Sequence, residues 1–225
     1  MNIKSIQFCI LAAAWMVQTT PQPASAQGTV YFSHLGSATD TTGPIIASDS
    51  SWAVAFETGA AANGYSVDTI QIRIAGVTGN PVGFQLLLCD DNAGKPKSSL
   101  EPLIGSTPTS AGVYSFSAAG IRLAPSTVYW VLATSSDLNS SGNTLSWALN
   151  SDPCVGTDGW NLTTSSMTGA GGVSNPDWSQ VYWSNVSPGG LTLAVSASPV
   201  PEPQTYALAG GGLLAYLARR KMVLR

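Results

Sequence analysis

Short runs in which apolar and polar residues alternate recur along the middle of the chain. Ile70, Ile72 and Ile74 alternate with polar neighbours, and Trp52–Thr58 alternates large apolar with small residues. A period of two is typical of strands with one buried face. Val128–Thr134 is apolar at consecutive positions and predicts a strand buried on both faces. Further strands are predicted at Phe84–Leu88, Tyr114–Ala118, Leu145–Leu149, Gln180–Trp183 and Leu191–Ser196.

Turn-forming residues separate these runs, as at Asn63-Gly64 and Gly79-Asn80-Pro81. Many short strands at this spacing, without helical periodicity, predict an all-β fold, an antiparallel β-sandwich or jelly roll. The Ser-, Thr- and Gly-rich segment Asn161–Pro176 is expected to form a long loop. Ser196–Pro203 is expected to be a stalk that joins the body to the C-terminal segment.

The first 26 residues have the composition of a secretory signal peptide. Lys4 supplies a positive charge, and Ile6–Val17 is apolar apart from one clearly polar residue. This run of about twelve residues is shorter than the roughly twenty that a membrane anchor needs. Ala24 and Ala26 place small residues where signal peptidase cleaves. We therefore expect a signal-peptide helix over residues 1–26 and cleavage after Ala26.

Residues 199–225 divide into three parts. Val200-Pro201-Glu202-Pro203 is followed by the apolar run Ala207–Ala218 and then by Arg219-Arg220-Lys221. As a helix this run would be about 18 Å long, which is short for a hydrocarbon core of about 30 Å. The basic cluster favours the cytoplasmic side and places the preceding body outside. The pattern predicts a single short hydrophobic helix in the membrane.

This tail resembles the PEP-CTERM sorting signal of Gram-negative bacteria. Pro201, Glu202 and Pro203 match the motif, with Val200 before them, and the cluster Arg219-Arg220-Lys221 matches its basic end. The resemblance implies recognition and processing by an exosortase and a destination at the cell surface or in an exopolysaccharide matrix. The alternative is an ordinary tail anchor behind a proline-rich stalk, which would leave the body on the same side of the membrane.

Charge is distributed unevenly between these segments. The chain of 225 residues has 9 basic and 12 acidic residues, a net charge of −3. Residues 27–198 carry four basic against eleven acidic residues, a net charge of −7, whereas residues 199–225 carry +3. An acidic body argues against a nucleic-acid partner. The chain therefore reads as one exported β-rich domain, 27–198, between a signal peptide and a sorting tail.

Six segments of the body carry a further pattern: Trp52–Gly59, Tyr65–Val67, Gly79–Phe84, Asp90–Pro96, Ala111–Phe116 and Tyr129–Val131. Together they resemble the choice-of-anchor domains, type R, of bacterial surface proteins. The resemblance implies an extracellular β-rich module whose C-terminal anchor varies from protein to protein. No established activity accompanies it.

Two cysteines, Cys89 and Cys154, belong to the expected mature chain. Two thiols in an oxidising compartment are a candidate disulfide. The alternative is a Cys89 buried in its strand and a Cys154 free in a loop. A bridge requires Cα atoms within about 7 Å, a separation that the sequence does not give.

Asp90, Asp91 and Asn92 form a weak candidate calcium site before Ala93-Gly94. Counted from Asp90, the glycine stands fifth rather than sixth, so the fit to an EF-hand loop is partial. A tight turn between two strands explains the same residues. We therefore expect no bound metal and regard these three residues as the ligands to test.

Trp160, Trp178 and Trp183 lie in the second half of the chain, where loops are expected. Exposed tryptophans stack on sugar rings, which makes these residues a candidate glycan site. Large aromatic side chains equally fill the core of a β-sandwich. Both interpretations stay open at this stage.

Residues suited to catalysis are few. The chain lacks a G-x-S-x-G motif, and its single histidine, His34, is expected at the surface. Asp152 and Asp158 are an acidic pair of the kind glycosidases use, but the sequence does not give their separation. We expect no catalytic residues and no cofactor, and a structural or adhesive role.

The alternative function is a carbohydrate-binding module, and a glycoside hydrolase is less favoured. Expected partners are signal peptidase, exosortase, the membrane through the C-terminal helix, and extracellular polysaccharide. The body is then exported and held at the outer side of a membrane before it reaches the surface or the matrix.

Overall fold

A computed structural model describes residues 28–36, 43–47, 50–118, 120–135, 142–150, 154, 156–170, 182–186 and 190–201. This part of the chain is all-β and contains no helix. The predicted helices at the two ends lie outside it. The strands are β1 (Thr29–Ser33), β2 (Ile45–Ile46), β3 (Ser51–Glu57), β4 (Tyr65–Thr78), β5 (Phe84–Asp91), β6 (Pro96–Pro102), β7 (Gly112–Ser117), β8 (Arg122–Leu123), β9 (Val128–Ser135), β10 (Thr144–Trp147), β11 (Leu149–Asn150), β12 (Asn161–Ala170), β13 (Tyr182–Val186), β14 (Gly190–Leu191) and β15 (Leu193–Pro199).

The strands form two larger antiparallel sheets and one two-stranded pair. The first sheet has the order β1-β15-β4-β10-β2. Strands β15 and β10 pair with one edge of the long strand β4, and β7 and β8 pair with its opposite edge. The second sheet has the order β13-β12-β3-β9-β5-β6, and β11 pairs with β14. The predicted antiparallel all-β class is confirmed. The last strand, β15, lies between β1 and β4, so the first sheet is complete only when the end of the body is in place.

The main core lies between the two larger sheets. Ile70, Ile72 and Ile74 of β4 point into it from the first sheet, as their alternation predicts, and Val54 and Phe56 of β3 point into it from the second. Each of these five side chains is at most 1% exposed. Burial of this apolar surface is the main stabilising contribution to the fold.

A second apolar cluster lies on the opposite face of the second sheet. Strand residues alternate between faces, so the neighbours of Val54 and Phe56 turn away from the main core. The cluster consists of residues from β3, β5 and β9: Ala53, Ala55, Leu87, Cys89, Trp130 and Leu132. This arrangement explains why Val128–Thr134 is apolar at consecutive positions, since β9 is buried on both faces.

Two segments expected to be irregular are strands. The predicted long loop at Asn161–Pro176 is wrong over Asn161–Ala170, which is β12 and pairs with β3 and β13. The predicted stalk is wrong over Ser196–Pro199, which belongs to β15. Small polar side chains conceal β12 in the sequence because its pairing is made through the backbone.

Candidate functional site: the exit of the C-terminal motif

The chain leaves the body at the end of β15. Pro199 pairs with Tyr65 of β4, and the backbone N–H of Val200 donates to the carbonyl oxygen of Gly64 at 3.0 Å. Pro201 is exposed and has no N–H, so it cannot extend this pairing. The ordered pairing therefore reaches Val200, the first residue of the Val-Pro-Glu-Pro sequence.

Pro199 fits inside a strand because of the direction in which its nitrogen points. Successive residues of an antiparallel strand direct their N–H groups to alternate sides. Since the N–H of Val200 faces β4, the nitrogen of Pro199 faces the side of β1. Among the described residues, the pairing on that side begins at Ala197, which lies opposite Thr29. Within the described residues, the missing N–H of Pro199 therefore removes no hydrogen bond between strands.

Gly64 has a geometry that favours glycine. It closes a turn in which its N–H donates to the carbonyl oxygen of Ala61 at 2.8 Å, and its φ is +73°. A Cβ at this position would overlap the carbonyl oxygen of Leu123 in β8. The Asn63-Gly64 turn predicted from the sequence is thus also the structure that receives Val200.

The beginning of the body lies at the same end of the sheet. Thr29 pairs with Ala197, and a Cβ at Gly28 would overlap the carboxylate of Asp68. That carboxylate accepts a hydrogen bond from the Ser198 hydroxyl at 3.0 Å. Both chain ends of the body therefore leave it from neighbouring strands. Ala24 and Ala26, the predicted cleavage residues, lie outside the described residues.

The described residues thus form an all-β body that continues directly into a C-terminal proline-rich motif. Residues 199–221 match the PEP-CTERM protein-sorting motif. No curated protein and no solved structure matches the chain at a significant level. The motif implies export, processing by an exosortase and membrane-associated sorting to the cell surface in Gram-negative bacteria.

Most of the matched segment lies outside the described residues. Val200 and Pro201 are described, whereas the rest of the motif and the basic end are not: Glu202, Pro203, Arg219, Arg220 and Lys221. Among the residues that the structure describes, no helix has the length and apolar character needed to cross a membrane.

Cys89 and Cys154 are both free thiols, so the candidate disulfide is not formed in this structure. Cys89 belongs to the second apolar cluster, whereas Cys154 packs against the main core. The second sheet separates these two environments. Burial, and to a lesser degree the charge of Asp90, raise the pKa of the Cys89 thiol to about 12, and burial raises the pKa of Cys154 as well.

The candidate calcium loop is the turn of the β5–β6 hairpin. Asp91 Oδ1 accepts a hydrogen bond from the Trp130 indole N–H at 2.7 Å, and Oδ2 accepts one from the Gly94 N–H at 3.2 Å. The N–H of Asn92 donates to the carbonyl oxygen of Lys95 at 2.8 Å. The described residues contain no group of three or more His, Cys, Asp or Glu side chains arranged to hold a metal ion. Asp91 thus stabilises the hairpin and Trp130.

Trp160 is a core residue, which agrees with the core-packing alternative and not with an exposed glycan-binding residue. It is 2% exposed, and its ring stacks on Tyr31 and Phe56 at centroid distances of 4.8 and 5.9 Å. Trp183 lies in β13, where its backbone pairs with Gly169, and only its backbone is described. Trp178 lies outside the described residues.

His34 is also buried, at 4% exposed, and the expectation that it lies at the surface is wrong. Its backbone N–H donates to the carbonyl oxygen of Leu193 at 2.8 Å, and its ring packs over Gly190. A side chain at Gly190 would collide with the imidazole ring. Of the acidic pair considered for hydrolysis, Asp158 is exposed and Asp152 lies outside the described residues.

The residues at the point where the chain leaves the body and enters the motif could not be found from the sequence. Asn63-Gly64 is recognisable as a turn, but its contact with Val200 joins distant parts of the chain. The contact between Asp68 and Ser198 is also long-range. No local pattern marks either pair, because strand pairing alone brings them together.

Proposed function

We propose that this chain is an exported surface protein whose β-sandwich body has a structural or adhesive, non-enzymatic role at the cell surface or in extracellular polysaccharide. The proposal is carried by one observation, the direct continuation of β15 into the matched sorting motif at residues 199–221. A folded body joined without a spacer to a sorting motif is the arrangement expected of a domain that the motif carries to the cell surface. The resemblance to the choice-of-anchor domains fits this proposal, since those domains combine one body with different anchors.

The non-enzymatic part of the proposal is supported by the structural contacts of residues that often carry chemistry. The Arg73 guanidinium donates to the carbonyl oxygens of Leu35 and Gly36 at 2.8 and 3.1 Å. Asp91 holds the Trp130 indole and the hairpin turn. These side chains organise the body, and we assign them structural roles.

The sorting part of the proposal is tested by mass spectrometry of the C-terminus in host cells with and without their exosortase. We expect the tail to be lost, and the body to reach the surface, only when the enzyme is present. Glu202→Ala should retain an intact tail, whereas Glu101→Ala, which replaces an exposed glutamate of the body, should be processed normally. An intact C-terminus in both strains would contradict processing and support plain tail anchoring.

The role of the body is tested separately with the processed protein and the polysaccharide of its own host. An adhesive role predicts that the body remains with washed matrix, and a purely structural surface role predicts that it remains with the cells. Saturable binding to the isolated polysaccharide would favour the carbohydrate-binding alternative. Such binding would require residues other than the buried Trp160. Turnover of that polysaccharide, abolished by replacing Asp158, would contradict a non-enzymatic role.

A further inference from the structure

The tether between the body and the apolar part of the tail is short. Val200 is held by Gly64, and the apolar run begins at Ala207, so only residues 201–206 lie between them. Six residues span at most about 20 Å, at 3.3–3.6 Å per residue. While the apolar run is in the bilayer, the end of the body at Gly64 stays within that distance of it.

The opposite end of the body is much farther from the apolar run than the end at Gly64. β4 runs from Tyr65, next to Gly64, to Thr78, and its 14 residues correspond to a length of at most about 45 Å. The connection after β4 includes Val82, which is 54% exposed. A tether of about 20 Å therefore keeps the end of the body at Gly64 close to the bilayer and leaves the end at Val82 farther from it.

The surface near the exit consists of small and polar groups. Ala62, Asn63 and Ser126 are exposed there, and Arg122 of β8 adds an exposed cation beside Ser66. Two acidic residues lie at the same end: the half-buried Asp68, next to Ser198, and the exposed Asp158, next to Gly59. Such a surface suits contact with hydrated lipid headgroups and does not suit insertion into the hydrocarbon core. The chain entering the body at Gly28 is at this end too, so the predicted signal peptide would also connect here.

We propose that the end of the body formed by Asn63, Arg122 and Val200 is a membrane-facing surface that lies against phospholipid headgroups during sorting. This inference rests on the proposed function, because it requires the tail to be in the membrane. The net charge of −7 over residues 27–198 gives the body no general attraction to anionic lipids. The short tether holds this surface at the membrane.

The proposal is tested with fluorescent probes on the unprocessed chain, residues 27–225, in vesicles of phosphatidylethanolamine and phosphatidylglycerol with nitroxide-labelled headgroups. The background is Cys154→Ser, in which the remaining Cys89 is 0% exposed and does not take up label. Asn63→Cys carries the probe at the exit, and Val82→Cys is the matched control at the far end. We expect loss of fluorescence at position 63 and none at position 82.

A second variant separates the tether from intrinsic affinity. Inserting 24 glycine and serine residues after Gln204 adds a flexible linker with an end-to-end distance of about 25 Å. We expect fluorescence at position 63 to recover. Loss of fluorescence that survives the insertion would contradict the tether as the cause and would show that the surface itself binds headgroups.

The remaining outcomes overturn the proposal or its basis. Equal quenching at both positions would mean that the body lies on its side. Flotation with the vesicles without quenching at position 63 would overturn the membrane-facing surface alone. Failure to float would overturn the membrane-associated tail, and with it the basis of the proposed function. Quenching that appears only when exosortase is included would assign the surface to that enzyme instead of the lipid.

Discussion

The N–H of Val200 donates to the carbonyl oxygen of Gly64 at 3.0 Å, which joins the first residue of the Val-Pro-Glu-Pro sequence to the turn before β4. The Val-Pro-Glu-Pro sequence therefore begins directly after β15. A sorting enzyme that recognises this motif must bind it next to a folded domain. The local stability of the β15–β4 pair therefore affects how much of the motif the enzyme can reach.

Replacing Gly64 by alanine should destabilise the body strongly. Its φ of +73° costs an L-residue about 1–2 kcal/mol, and overlap of the new Cβ with the Leu123 carbonyl adds a further cost of about 1–3 kcal/mol. The free energy of unfolding of a fragment comprising residues 27–201, measured in urea, provides the test. Gly94→Ala is the matched control, because Gly94 has a φ of +78° but open space around the added Cβ. Equal losses in the two variants would contradict the steric argument.

Two buried tryptophans should respond differently to replacement by phenylalanine. The Trp147 indole N–H donates to the Thr192 carbonyl oxygen at 2.9 Å, whereas the Trp160 N–H has no hydrogen-bond partner among the described residues. Trp147→Phe leaves a buried carbonyl without its donor, and Trp160→Phe removes a buried donor that lacks an acceptor. We expect Trp147→Phe to cost roughly 1–3 kcal/mol more in the free energy of unfolding. Similar costs would argue that the Trp160 indole is hydrogen-bonded in solution.

The two thiols should differ in reactivity and should not be bridged. Cys89 is 0% exposed with a pKa raised to about 12, so very little reactive thiolate is present near pH 8. Alkylation of the native body followed by mass spectrometry should modify Cys154 first, and Cys89 should react only after unfolding. A body that lacks free thiols when it is denatured without reductant would show that the disulfide forms after all.

Asp91 should stabilise the body without binding calcium. Asp91→Ala removes the acceptor of the Trp130 indole and of the Gly94 N–H, and we expect a loss of about 1.5–3 kcal/mol. Asp90→Ala alters the neighbouring carboxylate and should cost less, because neither of these hydrogen bonds involves Asp90. Thermal unfolding with and without added calcium should give the same midpoint for the parent chain. A midpoint raised by calcium and lost in both variants would restore the metal interpretation.

The prediction of the strands succeeded where side-chain alternation is strong. Ile70, Ile72 and Ile74 show it clearly, and β4 extends on both sides of them. It failed at β1, where a register shift between Val30 and Phe32 buries Tyr31 and Phe32 in succession and breaks the alternation. A bulge of this kind depends on the partner strand, so the local pattern does not reveal it.

The sequence by itself determined the all-β class and the sorting motif, because alternation, turn residues and a contiguous tail are local properties of the chain. Only the tertiary structure decided that Trp160 and His34 are buried, that Cys89 and Cys154 face different layers, and that Val200 is held by Gly64. Each of these outcomes depends on which distant strands pair and in which register. A shift of one residue would turn every side chain of a strand to the other face, and long-range pairing alone sets that register.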